Sequence, residues 1–153
     1  MQYITELVED DDLYFFLSTL NNEAIPATEK HAILAVRIAQ ARFRKLVLAV
    51  WNGKCPITGS TQFVTAGHIK PWSESTDAER VDPYNGLLLS PVYDKAFDAG
   101  LVTIEDSGRL RLSPLLLANA SLLGISGQEQ ITGLTLRHQP YLQYHRAHRY
   151  RSK

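Results

Sequence analysis

Cysteine is almost missing: Cys55 is the only one in 153 residues, so no disulfide can form within the chain. A structural zinc site made of several thiolates is excluded with it. Any metal must be held by His, Asp, Glu, Asn or backbone oxygens. Long apolar runs are missing too, none approaching the roughly 20 residues needed to cross a bilayer. Residues 1–20 are acidic, unlike the basic head of a secretory leader. The expectation is a soluble cytoplasmic protein with no membrane partner. Net charge is also absent, with 16 Lys and Arg against 16 Asp and Glu. What is present, 44% hydrophobic and 21% charged residues, matches an ordinary globular protein. The length suits one domain with a sizeable core.

The zero balance hides an uneven distribution. Residues 1–30 carry seven acids and one Lys, whereas residues 31–54 hold Arg37, Arg42, Arg44, Lys45 and Lys54 and no acid. Residues 137–153 hold Arg137, Arg146, Arg149, Arg151 and Lys153, three His and again no acid. Two basic segments thus flank an acidic middle. Basic clusters neutralise phosphates and an acidic centre suits a cation. The alternative is two solvated helix faces.

Apolar spacing predicts a first helix over 5–21, broken by Asn21–Asn22 and Pro26. A second, basic and amphipathic, runs to about Trp51, capped by Thr28 and ended by Asn52–Gly53. Cys55-Pro56-Ile57-Thr58-Gly59 is a tight turn. Phe63-Val64-Thr65 is a short β-prone segment leading into Gly67–His68, and residues 70–84 read as a loop. Gly86 to Ser90 is either a strand or a buried approach to a two-turn helix that opens at Pro91 and closes at Gly100. Asp106-Ser107-Gly108 marks a hairpin between 101–104 and 109–112, and the remainder reads as helical.

Three features with chemical capacity fall between residues 55 and 100. His68 ends a predicted strand after two small residues. Asp94 and Asp98, at i and i+4 on a short helix, project from one face about a turn apart. Paired carboxylates of that kind suit Mg²⁺ or Mn²⁺. Asn85 lies where the loop meets the next element, its amide able to fix an imidazole or a carbonyl. Singly, each has a plainer meaning: a structural histidine, a solvated Asp pair, an Asn-Gly turn.

Together they form a pattern. Cys55-x-x-Thr58-Gly59, Gly67-His68-Ile69-Lys70-Pro71-Trp72, Asp82-Pro83-Tyr84-Asn85-Gly86-Leu87-Leu88-Leu89-Ser90 and Phe97-Asp98-x-Gly100-Leu101 strongly resemble the HNH endonuclease family. The nearest branch is that of bacterial restriction-like nucleases. The resemblance extends upstream to Arg42-Phe43-Arg44 and downstream to Tyr141-Leu142-x-Tyr144-His145-Arg146. It implies an α+β fold with a ββα-metal core (HNH, or His-Me finger), an acidic N-terminal helical extension over 1–30 and an HNH domain over 31–153 that ends in a helical segment. It further implies His68 as general base, Asn85 as support for loop and base, and Asp94 and Asp98 as metal ligands. The implied activity is metal-dependent DNA phosphodiester hydrolysis of restriction or defence type, with Mg²⁺ or Mn²⁺ and no structural zinc.

Two departures stand out. The residue before the base, an acid or His in much of the superfamily, is Gly67, and Asp94 replaces the final motif His. Lys70, Arg80, Arg42, Arg44, Lys45, Arg146 and Arg149 are the candidate DNA contacts, and Trp72 is read as a loop cover. A single site of this type nicks one strand, so double-strand cutting needs two binding events or a homodimer. The competing expectations are a catalytically weakened HNH-derived module that binds nucleic acid without cutting it, and a protein-interaction domain.

Overall fold

A computed structural model describes the backbone of residues 10–153 and the side chains from residue 14 onward. It is α+β. Helix α1 spans Asp10–Asn21 and α2 Ala27–Val50; the part of the first predicted helix over 5–9 lies outside the described residues. α1 packs on α2 through Phe15, whose ring lies 4.3 Å beneath the Arg37 guanidinium, and through buried Phe16. α2 is not capped by Thr28: Pro26, with φ of −56°, precedes its first residue and no side chain caps it. The fixed proline torsion sets the helix entry instead. Asn52 and Gly53, both at positive φ, end it as expected.

Strand β1 (Thr65–His68) pairs antiparallel with β2 (Gly86–Leu89), placing His68 opposite Gly86 and Gly67 opposite Leu87. The predicted strand at Phe63 begins two residues late, because Phe63 has a φ of +56° and leaves the extended region. The pairing with β1 settles Gly86–Leu89 as a strand, all four of whose residues are buried. α2 lies across the start of β2: a Cβ on Gly86 would strike Val47 and Phe43, and the Trp51 indole donates to the Gly86 carbonyl at 3.0 Å.

The segment from 70 to 84 is not plain loop. It holds a short helix, α3 (Asp77–Val81), between single 3₁₀ turns at Trp72–Glu74 and Pro83–Asn85. α3 opens with a reciprocal cap between Thr76 and Glu79, a Thr-x-x-Glu signal that answers two orphan amides at a helix start. Helix α4 (Pro91–Asp98) then packs Tyr93, Ala96 and Phe97 inward.

A second antiparallel pair, β3 (Val102–Ile104) with β4 (Leu110–Leu112), matches the predicted hairpin. The rest is helical only at α5 (Leu117–Ala120), a 3₁₀ turn at Ser121–Leu123 and α6 (Gln139–His148). Gly124, Gly127 and Gly133, at φ of 73°, 78° and 92°, turn the chain away from helix between them. One core, with Val47, Leu88, Ile104 and Leu142 fully enclosed, joins these elements. Among the described residues no helix is long and apolar enough to cross a membrane.

α6 is tied to the centre by His145. Its Nε2 donates to the Phe97 carbonyl at 3.1 Å, Nδ1 accepts from the Thr103 hydroxyl at 2.9 Å, and the ring stacks on Phe97 at 3.8 Å. Burial pushes its pKa from 6.5 down to about 4, against the opposing pull of the Phe97 carbonyl. Below pH 6.5 the unfolded chain takes up a proton that folded His145 refuses. The stabilisation is complete above that pH and lost as pH falls toward 4, an expected decline of about 3 kcal/mol. Urea unfolding across this window should show it in the wild type, and a flatter profile in His145→Gln.

Candidate active site

His68 sits where β1 gives way to the long connection. Its ring stacks on Phe43 of α2 at 3.8 Å and 7°, and meets Trp72 edge-on at 5.6 Å. Phe43 reaches it because Gly86, its strand partner, has no side chain to intervene. Nε2 lies 2.8 Å from the backbone carbonyl of Arg80. A carbonyl only accepts, so Nε2 carries the hydrogen and Nδ1 is left as the basic nitrogen. Burial lowers the pKa below 6.5, partly offset by the Arg80 carbonyl. The ring is therefore neutral at neutral pH.

Asn85 holds that carbonyl in place. Fully buried, it accepts from the Lys70 amide at 2.8 Å and donates to the carbonyls of Glu79 at 3.0 Å and Lys70 at 3.3 Å. It thus clamps both ends of the segment that delivers Arg80. Its own carbonyl accepts from Ile69 at 2.9 Å, adding one bond beyond the β1–β2 ladder. Asn85 makes no hydrogen bond to the His68 ring in this network; it reaches the ring only through the loop that carries the Arg80 carbonyl.

Asp94 and Asp98 face the same small cavity as His68, about 160 Å³ and lined also by Thr65, Gly67 and Phe97. Asp98 is exposed and Asp94 half-buried. Burial first, then the neighbouring Asp98 charge, raises the Asp94 pKa above 3.8, while Lys95 opposes. A carboxylate made costly in this way is relieved by an incoming cation. Gly67 borders that carboxylate directly: a Cβ there would stand 3.0 Å from Asp94 Oδ1. Two larger surface depressions lie elsewhere, and neither gathers comparable groups. No cluster of three or more His, Cys, Asp or Glu side chains able to hold a metal occurs among the described residues. The ionisable side chains lining the cavity are the Asp94 and Asp98 carboxylates and the His68 imidazole.

The basic candidates divide. Arg42 and Lys45 are exposed on α2 and Arg44 half-buried, all within two residues of Phe43 in sequence. Lys70 is engaged by Glu79 at 2.7 Å. Arg80 pairs with Asp77 at 3.0 Å and lies over Trp72, giving that indole its covering role. Arg146 is committed to the Ile104 carbonyl and Asp106 at the hairpin, and Arg149 stands 3.6 Å from Glu74. Sequence reasoning missed Phe43 as the stacking partner, the Arg80 carbonyl as the acceptor and Glu79 as the loop's ionic anchor. The Thr76-x-x-Glu79 box was the available signal for the last two.

With this geometry in place, a family model described as HNH endonuclease matches residues 55–105, one third of the chain. The match contains His68, Asn85, Asp94 and Asp98. It supports the family drawn from the motifs and, in general terms, a nuclease-type hydrolase. No curated protein matches the chain.

Because Asn85 satisfies several buried backbone groups at once, Asn85→Ala should cost about 2–4 kcal/mol. Chemical unfolding measures it. Faster hydrogen exchange at the Lys70 amide should localise the damage.

Proposed function

We propose that the chain is a metal-dependent DNA endonuclease of restriction or defence type, with β1, β2 and α4 as a ββα-metal core. Residues 1–30 are its acidic N-terminal extension and 31–153 its HNH domain. One observation carries this proposal: His68, with Nε2–H bound to a carbonyl, offers basic Nδ1 beside the cavity that Asp94 and Asp98 face.

The residues suit a hard cation. Mg²⁺ accepts one or two carboxylates, retains waters and takes substrate phosphate as further ligand. Asp94 and Asp98 would hold it, and the space left by Gly67 keeps one Asp94 oxygen uncrowded. Bound there, Mg²⁺ or Mn²⁺ would supply neutralisation of charge on the phosphate and on the departing 3′ oxygen. His68 Nδ1 takes a proton from a water as that water's oxygen bonds to phosphorus; the P–O3′ bond breaks, and the 3′ oxygen is protonated from solvent. The lowered pKa keeps His68 unprotonated for this task.

For the DNA track, exposed Arg42 and Lys45, with Arg44, lead along α2. Lys70, Arg80, Arg146 and Arg149 contribute to the extent that phosphate displaces their carboxylate partners. The second reading, a binding module without cleavage, is favoured by the missing acid at Gly67 and the two-carboxylate donor set.

His68→Ala should lower plasmid nicking by about 10²–10⁴-fold at unchanged folding, and excess chelator should abolish nicking until Mg²⁺ or Mn²⁺ is returned. Near wild-type nicking in either arm overturns the mechanism. Metal-independent DNA binding without nicking favours the second reading. Charge reversal of Arg42 and Lys45 should weaken duplex binding alike for all sequences. It should flatten the slope of log K against log salt by about 0.9 for each contact removed.

A further inference from the structure

Phe63, shortly before strand β1, is an unusual residue. Its side chain is 83% exposed and its φ of +56° lies in the left-handed region, which bulky side chains rarely occupy. Nothing in the core requires a ring there, and glycine meets that torsion without strain. A strained backbone presenting an exposed aromatic is a combination found where a surface is built for contact.

Its mounting is rigid. The Cys55 amide donates to the Ser60 carbonyl at 2.9 Å, and the Ser60 hydroxyl donates to the Gln62 carbonyl at 3.0 Å while accepting from the Gln62 amide at 3.1 Å. The turn preceding Phe63 is thereby closed, which fixes the backbone leading to the ring. Two residues later Thr65 forms part of the cavity wall with His68, Asp94 and Asp98. Two residues of chain reach about 7 Å, and nucleotides follow one another about every 3.4 Å along a strand.

We propose that Phe63 is a nucleobase-contacting residue, stacking on a base roughly two nucleotides from the phosphate held at His68. The assignment rests on the endonuclease function proposed above. An aromatic face serves every base because each has a π surface, so the contact adds affinity and local unstacking without choosing a sequence.

The test uses the full chain, supercoiled plasmid, and 25-base-pair duplexes carrying 2-aminopurine at successive positions around a nick site. Phe63→Ala and Phe63→Leu should weaken apparent DNA affinity by roughly 5- to 150-fold, while Phe63→Trp stays within about threefold of wild type. Wild type should raise 2-aminopurine fluorescence at one or two positions near the nick, and Phe63→Ala should not. Phe63→Gly should melt at the same temperature as wild type or higher, because it relieves the torsion, and yet lose affinity as Ala does. Wild-type affinity and nicking in Phe63→Ala, or in Phe63→Leu, overturns the stacking role while leaving the endonuclease intact. Failure of the wild type itself to bind or nick DNA overturns both, and plasmid nicking by the wild type tells the two failures apart.

Discussion

The hydrogen bond from His68 Nε2 to the Arg80 carbonyl, 2.8 Å long, decides which ring nitrogen is basic, and much of the molecule keeps it intact. A carbonyl acceptor cannot be reversed by a proton shift, unlike a hydroxyl or a second imidazole. The segment delivering Arg80 is short and irregular, with little apolar area of its own. It is held instead by polar groups at several points: the Asn85 amide, the Thr76–Glu79 cap, the Lys70–Glu79 pair and the Ser75 hydroxyl on Pro71. Phe43 and Trp72 then exclude water from two sides of the ring, and that burial holds the imidazole neutral.

The other half of the site is fixed independently. α4 packs an apolar face on the strands and turns its carboxylates to the cavity. Its last turn is held from behind by His145 at the Phe97 carbonyl, next to Asp98 in sequence. The His68 ring thus depends on a polar clamp in the connection and the carboxylates on apolar packing plus one buried imidazole. The strand pair, through Gly67 and His68, is what the two share. Tyr141 and Tyr144 of α6 link them further by donating to Asp82 and Glu74.

Much of this was legible beforehand, for specific reasons. The Pro91 start, the Gly100 stop and the i, i+4 spacing placed α4 and both carboxylates, because each signal is local. The Asp106-Ser107-Gly108 turn placed the second hairpin in the same way. The errors fall where a neighbouring backbone feature outweighs the pattern. Thr28 looked like a cap, but Pro26 had already set the helix entry. Phe63 looked like strand, but its torsion is positive. The tail looked helical, yet three glycines at positive φ divide it. The pattern marks Asn85 as a loop support, and its acceptors, brought together only by the fold, lie beyond any spacing rule. The ring stacking of Phe43 on His68 spans 25 positions and depends on the bareness of Gly86.

The braces contributed by α6 come late in chain order. During synthesis both strands, the connection and α4 leave the ribosome before Tyr141, Tyr144 and His145 exist to hold them. A growing chain therefore carries every residue of the cavity while lacking the ties that set its shape. Domains settle as units once their closing segments have emerged. This order delays a finished cavity until the molecule as a whole has closed.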